Sequence, residues 1–234
     1  MRRARAAVTR ARRRARRAEP RGDTRQRLLE SARALFADRG FEKVTVRDIT
    51  GDAHANLAAV SYYFRDKMGL YKEVLLQGIE IARELNADTM LSRADHSPEE
   101  CLRHYVIHYL PHIVRSDKRV WFHRIMRHEM SAPTPAALWY VEQSIMPRIE
   151  FLVGVIGDLL GDGATPERVN RCTASLQAQC LFWLPDPFKT AVFGDWQPST
   201  DEAIREMAEH IAEFSLAGIR AIAKQPKGSH ARRR

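Results

Sequence analysis

TVRDITGDAHANLAAVSYYFRDK, residues 45–67, reads as two short helices joined by a tight turn. Val46, Ile49 and Ala53 recur at helical spacing, and Thr45 stands where its hydroxyl can cap the free amides of the first helix. Asn56 can open a second helix, in which Leu57, Val60 and Phe64 fall three and four apart. So short a helix is not stable alone, so neighbours must clamp its apolar stripe and leave its other face outward. That other face holds Ala58, Ala59, Ser61 and Tyr62, small or hydroxyl-bearing residues with no charge. The pairing matches the helix-turn-helix layout, whose second helix enters the major groove of DNA. Helical domains with no nucleic-acid role can carry the same pattern, so the surroundings have to decide.

On the N-terminal side, Thr24 begins a helix with Leu28, Leu29, Ala32, Leu35 and Phe36 as its stripe, Asp23 or Thr24 as its cap and Gly40 as its stop. Phe41 and Val44 return to the core, which completes a three-helix unit able to hold the outward helix at a fixed angle. On the C-terminal side, Asp66 can cap a long helix marked by Leu70, Tyr71, Val74, Leu75, Ile79 and Ile81 and continuing to about Leu91. Lys67 then stands at a helix start, where the dipole offers a cation nothing and an external anion is the fitting partner.

The 234 residues suit a small and a larger domain, and 44% hydrophobic with 29% charged residues is an ordinary globular composition. The net charge of +9 is local: residues 1–21 hold ten arginines against one glutamate. Between positions 22 and 223 there are 23 basic and 28 acidic residues, so the folded body is mildly acidic. The first 21 residues are expected to be a disordered arm. Such an arm can follow phosphates or a narrow minor groove, or simply be a solvated tail. No apolar segment follows it, so it is not read as a secretory signal, and no run is long and apolar enough to span a bilayer. Cys101, Cys172 and Cys180 form no C-x-x-C pair and are expected as free thiols in a reducing cytoplasm.

The remainder also reads as helical. Ser97-Pro98-Glu99-Glu100 caps a helix through Leu102, Tyr105, Val106, Tyr109 and Leu110 that Pro111 kinks or ends. A helix follows over Lys118–Met130, then a long one from Ala137 to Leu160 that Pro147 should bend. GDGATPE at 161–167 is a turn, and two last helices carry Val169, Cys172, Leu176, Cys180 and Leu181, then Ile204, Met207, Ile211, Phe214 and Leu216. Between these two, LPDPFKTAVFGDW reads as irregular.

His104, His108 and His112 share one helix face, with His123 and His128 on the next helix, but no HExxH accompanies them and Pro111 disturbs the spacing. No metal site and no cofactor are expected. Glu129 near His128 can form a proton-transfer pair, although Arg124 or Arg127 satisfies it more simply. No local signature marks an activated nucleophile, so no enzyme is expected. Tyr105, Tyr109, Trp121, Phe122, Met126, Trp139, Tyr140 and Met146 can line an apolar cavity with a few polar handles, or can be plain core.

TRQRLLESARALFADRGFEKVTVRDI, then NLAAVSYYFRDKMGLYKEVL, within residues 24–75, closely resembles the DNA-binding domain of TetR-family transcriptional regulators. The shared pattern is a helix, Gly-Phe, Thr-x-x-x-Ile, a short turn and Tyr-x-Phe-x-x-Lys-x-x-Leu. The rest resembles that family's variable effector domain, and EMSAPTP at 129–135 points toward its CecR-like group. The resemblance implies an all-α protein: a three-helix bundle with the helix-turn-helix over 22–75, a helical effector-binding and dimerisation domain over 76–223, and a basic tail at 224–234. It makes Thr45 and Arg47 phosphate neighbours, turns Leu57, Ala58, Ser61 and Tyr62 toward bases, and assigns Tyr63 and Lys67 to flanking phosphates. It favours the cavity reading of the aromatic set, with a small apolar or aromatic effector. It further implies a homodimer paired through helices near 166–184 and 200–223, acting on double-stranded DNA with no membrane partner. Operator release by the effector is the usual outcome, which makes the chain a repressor. A helical interaction module or a small helical enzyme is the alternative. One departure stands in the turn: His54 occupies a place where members usually have glycine.

Overall fold

A computed structural model describes residues 21–115 and 120–226; the arginine-rich arm up to residue 20, Lys118 and Arg119 of the helix expected over Lys118–Met130, and most of the basic tail lie outside the described residues. The described residues form helices and turns without a strand, as the sequence predicted. In chain order the α-helices are α1 (Arg21–Lys43), α2 (Val46–Asp52), α3 (Leu57–Phe64), α4 (Lys67–Thr89), α5 (Pro98–Val114) and α6 (Val120–Ser131). They continue with α7 (Pro135–Tyr140), α8 (Met146–Leu160), α9 (Pro166–Phe182), α10 (Pro187–Phe193) and α11 (Asp201–Ala223). Among the described residues no helix is long and apolar enough to cross a membrane.

The chain divides into two compact units, one taking residues up to Gly78 together with Val120–Trp139, the other taking Ile79 to Arg119 with everything from Tyr140. The first unit therefore includes a stretch that the sequence placed in the effector domain. Specific bonds account for this. Glu129 on α6 is buried and accepts from the Tyr71 hydroxyl on α4, and the His128 ring on α6 lies 3.3 Å from the Ala37 carbonyl on α1. Tyr71 and the Thr134 amide, the latter at 2.6 Å, are thus partners of Glu129.

α1 is already helical at Arg21, the first described residue and ahead of the expected Thr24, and its helical geometry breaks at Gly40, where φ is 78°. A side chain there would be strained at that φ and would also press on the His128 ring, 3.1 Å from the ideal Cβ position. Beyond the break, Phe41 joins Phe36 and Tyr71 in an aromatic trio with ring centres 4.9–5.9 Å apart. Leu28, Ala32, Ile49, Val60, Leu70 and Val74 complete this core, all of them buried.

In the second unit, α5 opens with the expected Ser97 cap and Pro98 at the first helical position, and Glu100 extends the cap to a box in which Ser97 and Glu100 each accept the other's backbone amide. Pro111 does not end α5, which runs on to Val114. Its buried stripe, including Leu102, Val106 and Leu110, packs with Leu152 and Ile156 of α8, Leu176 of α9, and Ile211 and Leu216 of α11. Pro147 acts upstream of itself. It has no amide to give, and Val141–Ile145 widens into a π-helical turn in which the Met146 amide reaches back to the Val141 carbonyl. The stretch read as irregular contains α10, because Asp186 accepts from the Phe188 and Lys189 amides at 2.9 and 3.2 Å while Pro187 takes the first turn.

Candidate nucleic-acid interface and ligand site

α2 and α3 are held from behind. Thr45 caps α2 in a reciprocal box, accepting from the Asp48 amide at 3.2 Å while the Asp48 carboxylate accepts from the Thr45 amide at 2.8 Å. The Thr45 hydroxyl and amide hold the Asp48 carboxyl below its ordinary value. At the other end of α2, the Ser31 hydroxyl lies 2.6 Å from an Asp52 oxygen and Arg27 donates to the Ala53 carbonyl at 3.2 Å. His54 in the turn has φ 49°, the left-handed region that glycine normally fills, so the departure from the family pattern leaves the turn intact at a strain of about 1 kcal/mol.

Asn56 caps α3 by accepting from the Ala58 amide at 2.9 Å. Val60 and Phe64 are buried, and the Arg25 guanidinium sits 5.2 Å over the Phe64 ring while it pairs with Glu73 at 2.7 Å. The opposite face is open: Ala58 and Ser61 are exposed, Leu57 is 50% exposed and Tyr62 69%. Leu57, read both as part of the apolar stripe and as a base neighbour, is therefore half outside the core. Tyr63 is half-buried, its ring 4.8 Å from that of Tyr62. Arg47 is exposed and makes no ion pair among the described residues.

Lys67 differs from its expected setting. Its ammonium donates to the Phe41 and Val44 carbonyls at 2.9 and 3.0 Å and lies 4.0 Å from the centre of the Phe41 ring. An internal partner thus meets the cation that was expected to face an external anion. Two carbonyls leave one N–H of the three for a phosphate. Asp66 caps α4 as predicted, accepting from the Gly69 amide at 2.7 Å.

The eight aromatic and sulfur residues expected at one cavity fall in both units. Trp121, Phe122, Met126 and Trp139 belong to the first. There Trp121 lies under the Arg33 guanidinium at 5.5 Å, and Phe122 covers Gly78 so closely that a Cβ on that glycine would strike its ring. Met126 is half-buried and Trp139 36% exposed. Tyr105, Tyr109 and Tyr140 are buried in the second unit, and Met146 is 38% exposed.

Those three tyrosines surround a residue the sequence reading passed over. Arg148 of α8 is 8% exposed, and its guanidinium carbon lies 4.7 Å from the Tyr109 ring centre. Tyr105 stacks on Tyr109 at 5.0 Å and accepts from the Gln177 amide at 2.9 Å. Burial pushes Tyr140 up to about 12 and raises Tyr105 and Tyr109 as well, so all three phenols are neutral near neutral pH. One turn before Arg148 stands buried Ser144, whose carbonyl accepts from Asn86 of α4 at 3.2 Å. A signal was present: Arg148 shares the four-residue spacing of Tyr140, Ser144 and Leu152, so it lies on the buried stripe of its helix.

The histidines form a different arrangement. His104 and His108 stack at 3.8 Å, and one nitrogen of each faces a backbone carbonyl at 2.9 Å. No cluster of three or more metal-binding side chains occurs among the described residues. Cys101, Cys172 and Cys180 are buried free thiols.

α9 and α11 border an open groove of about 580 Å³, lined by Arg171, Ser175, Leu176, Phe214, Gly218 and Ile222 among others. Phe214 is 64% exposed.

Known proteins share these features. The family model for bacterial regulatory proteins of the tetR family matches residues 28–74. The model for the C-terminal domain of the HTH-type transcriptional dual regulator CecR matches residues 98–219, over half of the chain. Over 106 residues the chain is 32% identical to the protein named probable acrEF/envCD operon repressor of Escherichia coli (strain K12), covering 45% of this chain and 48% of that one. The chain thus spans about half the length of this curated relative. Among solved structures, the hemolysin II transcriptional regulator HlyIIR aligns over 82% of this chain and 98% of its own, at 22% identity and a TM-score of 0.57. A transcriptional regulator from Saccharomonospora viridis in complex with choline aligns over 82% and 95%, at 17% identity and a TM-score of 0.55. At such identities these two speak for the fold alone. With a helix-turn-helix whose second helix is open on one face, and with both family models in register with the two parts of the sequence, the chain belongs to the TetR family of DNA-binding transcriptional regulators and carries a C-terminal domain of the CecR type.

Proposed function

We propose that the chain is a ligand-responsive repressor. Two copies bind a near-palindromic operator through α3, and a small effector held in the helical second unit releases them. The observation that carries the DNA-binding half is the division of α3, with Val60 and Phe64 buried while Ser61 and Tyr62 are exposed. Arg47, Tyr63 and the remaining N–H of Lys67 face phosphates, and Thr45 contributes mainly by ordering α2. Ala58 meets a thymine methyl, and Leu57, Ser61 and Tyr62 read neighbouring base edges. Such small side chains discriminate weakly, so DNA shape carries part of the specificity. The E. coli relative named as an operon repressor supports the sign, and the choline complex of a structural neighbour supports a small-molecule effector. The free thiols fit a cytoplasmic regulator.

The dimer is proposed to close the α9–α11 groove, the second copy's equivalent helices completing a four-helix contact around Leu176 and Phe214. Half-sites would then lie one or more helical turns apart, roughly 34–36 Å for a single turn. Replacing Phe214 with glutamate sets two carboxylates against an apolar contact and is expected to give a monomer by sedimentation velocity with its helical content unchanged. A dimer that persists at micromolar concentration removes this interface.

Gel shifts at stated salt, with promoter fragments from the chain's own genomic neighbourhood and random competitor duplex, test the central reading. Loss of Arg47 to alanine is expected to weaken specific and random duplexes alike and to flatten the salt dependence by about one counterion. Tyr62→Ala is expected to change the preferred site as well. Equal effects of the two variants on every duplex contradict the division of roles. No sequence-preferring shift on any fragment favours a protein-interaction role for the same helices.

A further inference from the structure

Arg148 is 92% covered, and its Nε makes no hydrogen bond. Arginine stays charged in proteins, so this is a buried cation that needs a counter-charge. None is at hand. No ion pair to Arg148 occurs among the described residues, the groups that act on it electrostatically are tyrosines, and Glu142 and Glu150 on either side of it in the chain are exposed. The neutral phenols of Tyr105, Tyr109 and Tyr140 solvate the guanidinium but do not neutralise it. Two more buried polar groups stand on the same wall: the Ser144 hydroxyl, one turn before Arg148, whose nearest polar neighbour is the Tyr140 phenol, and the side-chain carbonyl of Asn86, which has no hydrogen-bond partner while its amide is bonded to the Ser144 backbone. Ser144 lies within the π-helical turn at Val141–Ile145, a deviation that costs regular hydrogen bonding and recurs at functional sites.

We propose that Arg148 anchors the effector, its guanidinium receiving the carboxylate of a small organic monoanion whose apolar body lies among Tyr105, Tyr109 and Tyr140. A carboxylate matches the planar fork of a guanidinium, and one guanidinium balances one charge, which argues against a phosphate dianion in so dry a place. Ser144 has a proton to give to the second carboxylate oxygen. The Asn86 carbonyl suits a hydroxyl or N–H on the ligand. The inference rests on the effector-controlled reading above and narrows its effector from an apolar molecule to an apolar acid.

The test uses the full chain with two probe series: phenylalkanoates from benzoate to phenylbutyrate and straight-chain alkanoates from hexanoate to dodecanoate, each beside its own primary amide. At least one carboxylate is expected to raise the melting midpoint by roughly 5–10 °C at about 100 times its Kd, and its amide to leave it unchanged. R148M should abolish the response. If R148M does not fold, R148K takes its place and should bind at least about tenfold more weakly, since it keeps the charge and loses the fork. Amides that bind as well as acids, a variant that binds like the native chain, or no binding by any acid overturns the proposal. Operator release, measured with the same ligands, separates the two levels. A neutral ligand that frees DNA independently of Arg148 removes the anion site and leaves effector control standing. An acid that binds through Arg148 without changing operator affinity supports the site and removes the control.

Discussion

Replacing Ala58 with glutamate is expected to lower operator affinity at least about 100-fold and to leave the melting midpoint unchanged or slightly raised. Ala58 is exposed in the first turn of α3, and only its backbone amide is engaged, by the Asn56 cap. A carboxylate at this end of a helix interacts favourably with the dipole, by roughly 0.3–1 kcal/mol, so folding does not suffer. On DNA the same charge enters a groove lined by phosphates, where a like-charge contact costs several kcal/mol, and about 3 kcal/mol corresponds to the stated loss. Stability and binding thus move in opposite directions, which general unfolding cannot imitate. Native affinity in A58E would show that α3 does not enter the groove.

The largest effect on stability is expected at Glu129. Its carboxylate is buried and accepts from the Tyr71 hydroxyl, from the Thr134 amide at 2.6 Å and from the Thr134 hydroxyl at 3.1 Å. Burial and this carboxylate together hold the Tyr71 phenol well above its ordinary range. Glu129→Ala leaves a phenol and a backbone amide buried without acceptors, at about 1–3 kcal/mol each, and some of that loss is recovered by relaxation. A net loss of about 3 kcal/mol is expected in urea unfolding, with Glu129→Gln intermediate because it keeps one acceptor oxygen. A change below about 0.5 kcal/mol would mean that water already satisfies these groups.

Much of this molecule is local in origin and could be read along the chain. The Thr45, Asn56, Asp66 and Ser97 caps and the break at Gly40 each depend on residues a few positions apart, and all appear where the residue order indicated. The open face of α3 was legible for the same reason, since three- and four-residue spacing settles which side of a helix is apolar. α10 was overlooked although Asp186-Pro187 is a cap followed by a helix-starting proline, because the aromatic content of that stretch masked the signal.

Other assignments depended on groups far apart in sequence. Lys67 turns inward because the carbonyls of Phe41 and Val44, freed where α1 ends, lie within reach of its ammonium. Glu129 accepts from Tyr71, 58 residues away. The aromatic set divides because composition does not say which core a ring joins, and Trp121 and Tyr109 fill different ones. Arg148 is the clearest case. In the chain its spacing with Tyr140, Ser144 and Leu152 marks only its helix face, and folding, by surrounding it with neutral tyrosines and, among the described residues, no carboxylate, makes it a charge in need of a partner. Helix type, caps and the open face of α3 follow from neighbours within about one turn, which residue order specifies directly. Burial of a charge and the identity of its partners are properties of packing, which arise when segments dozens of residues apart exclude water together.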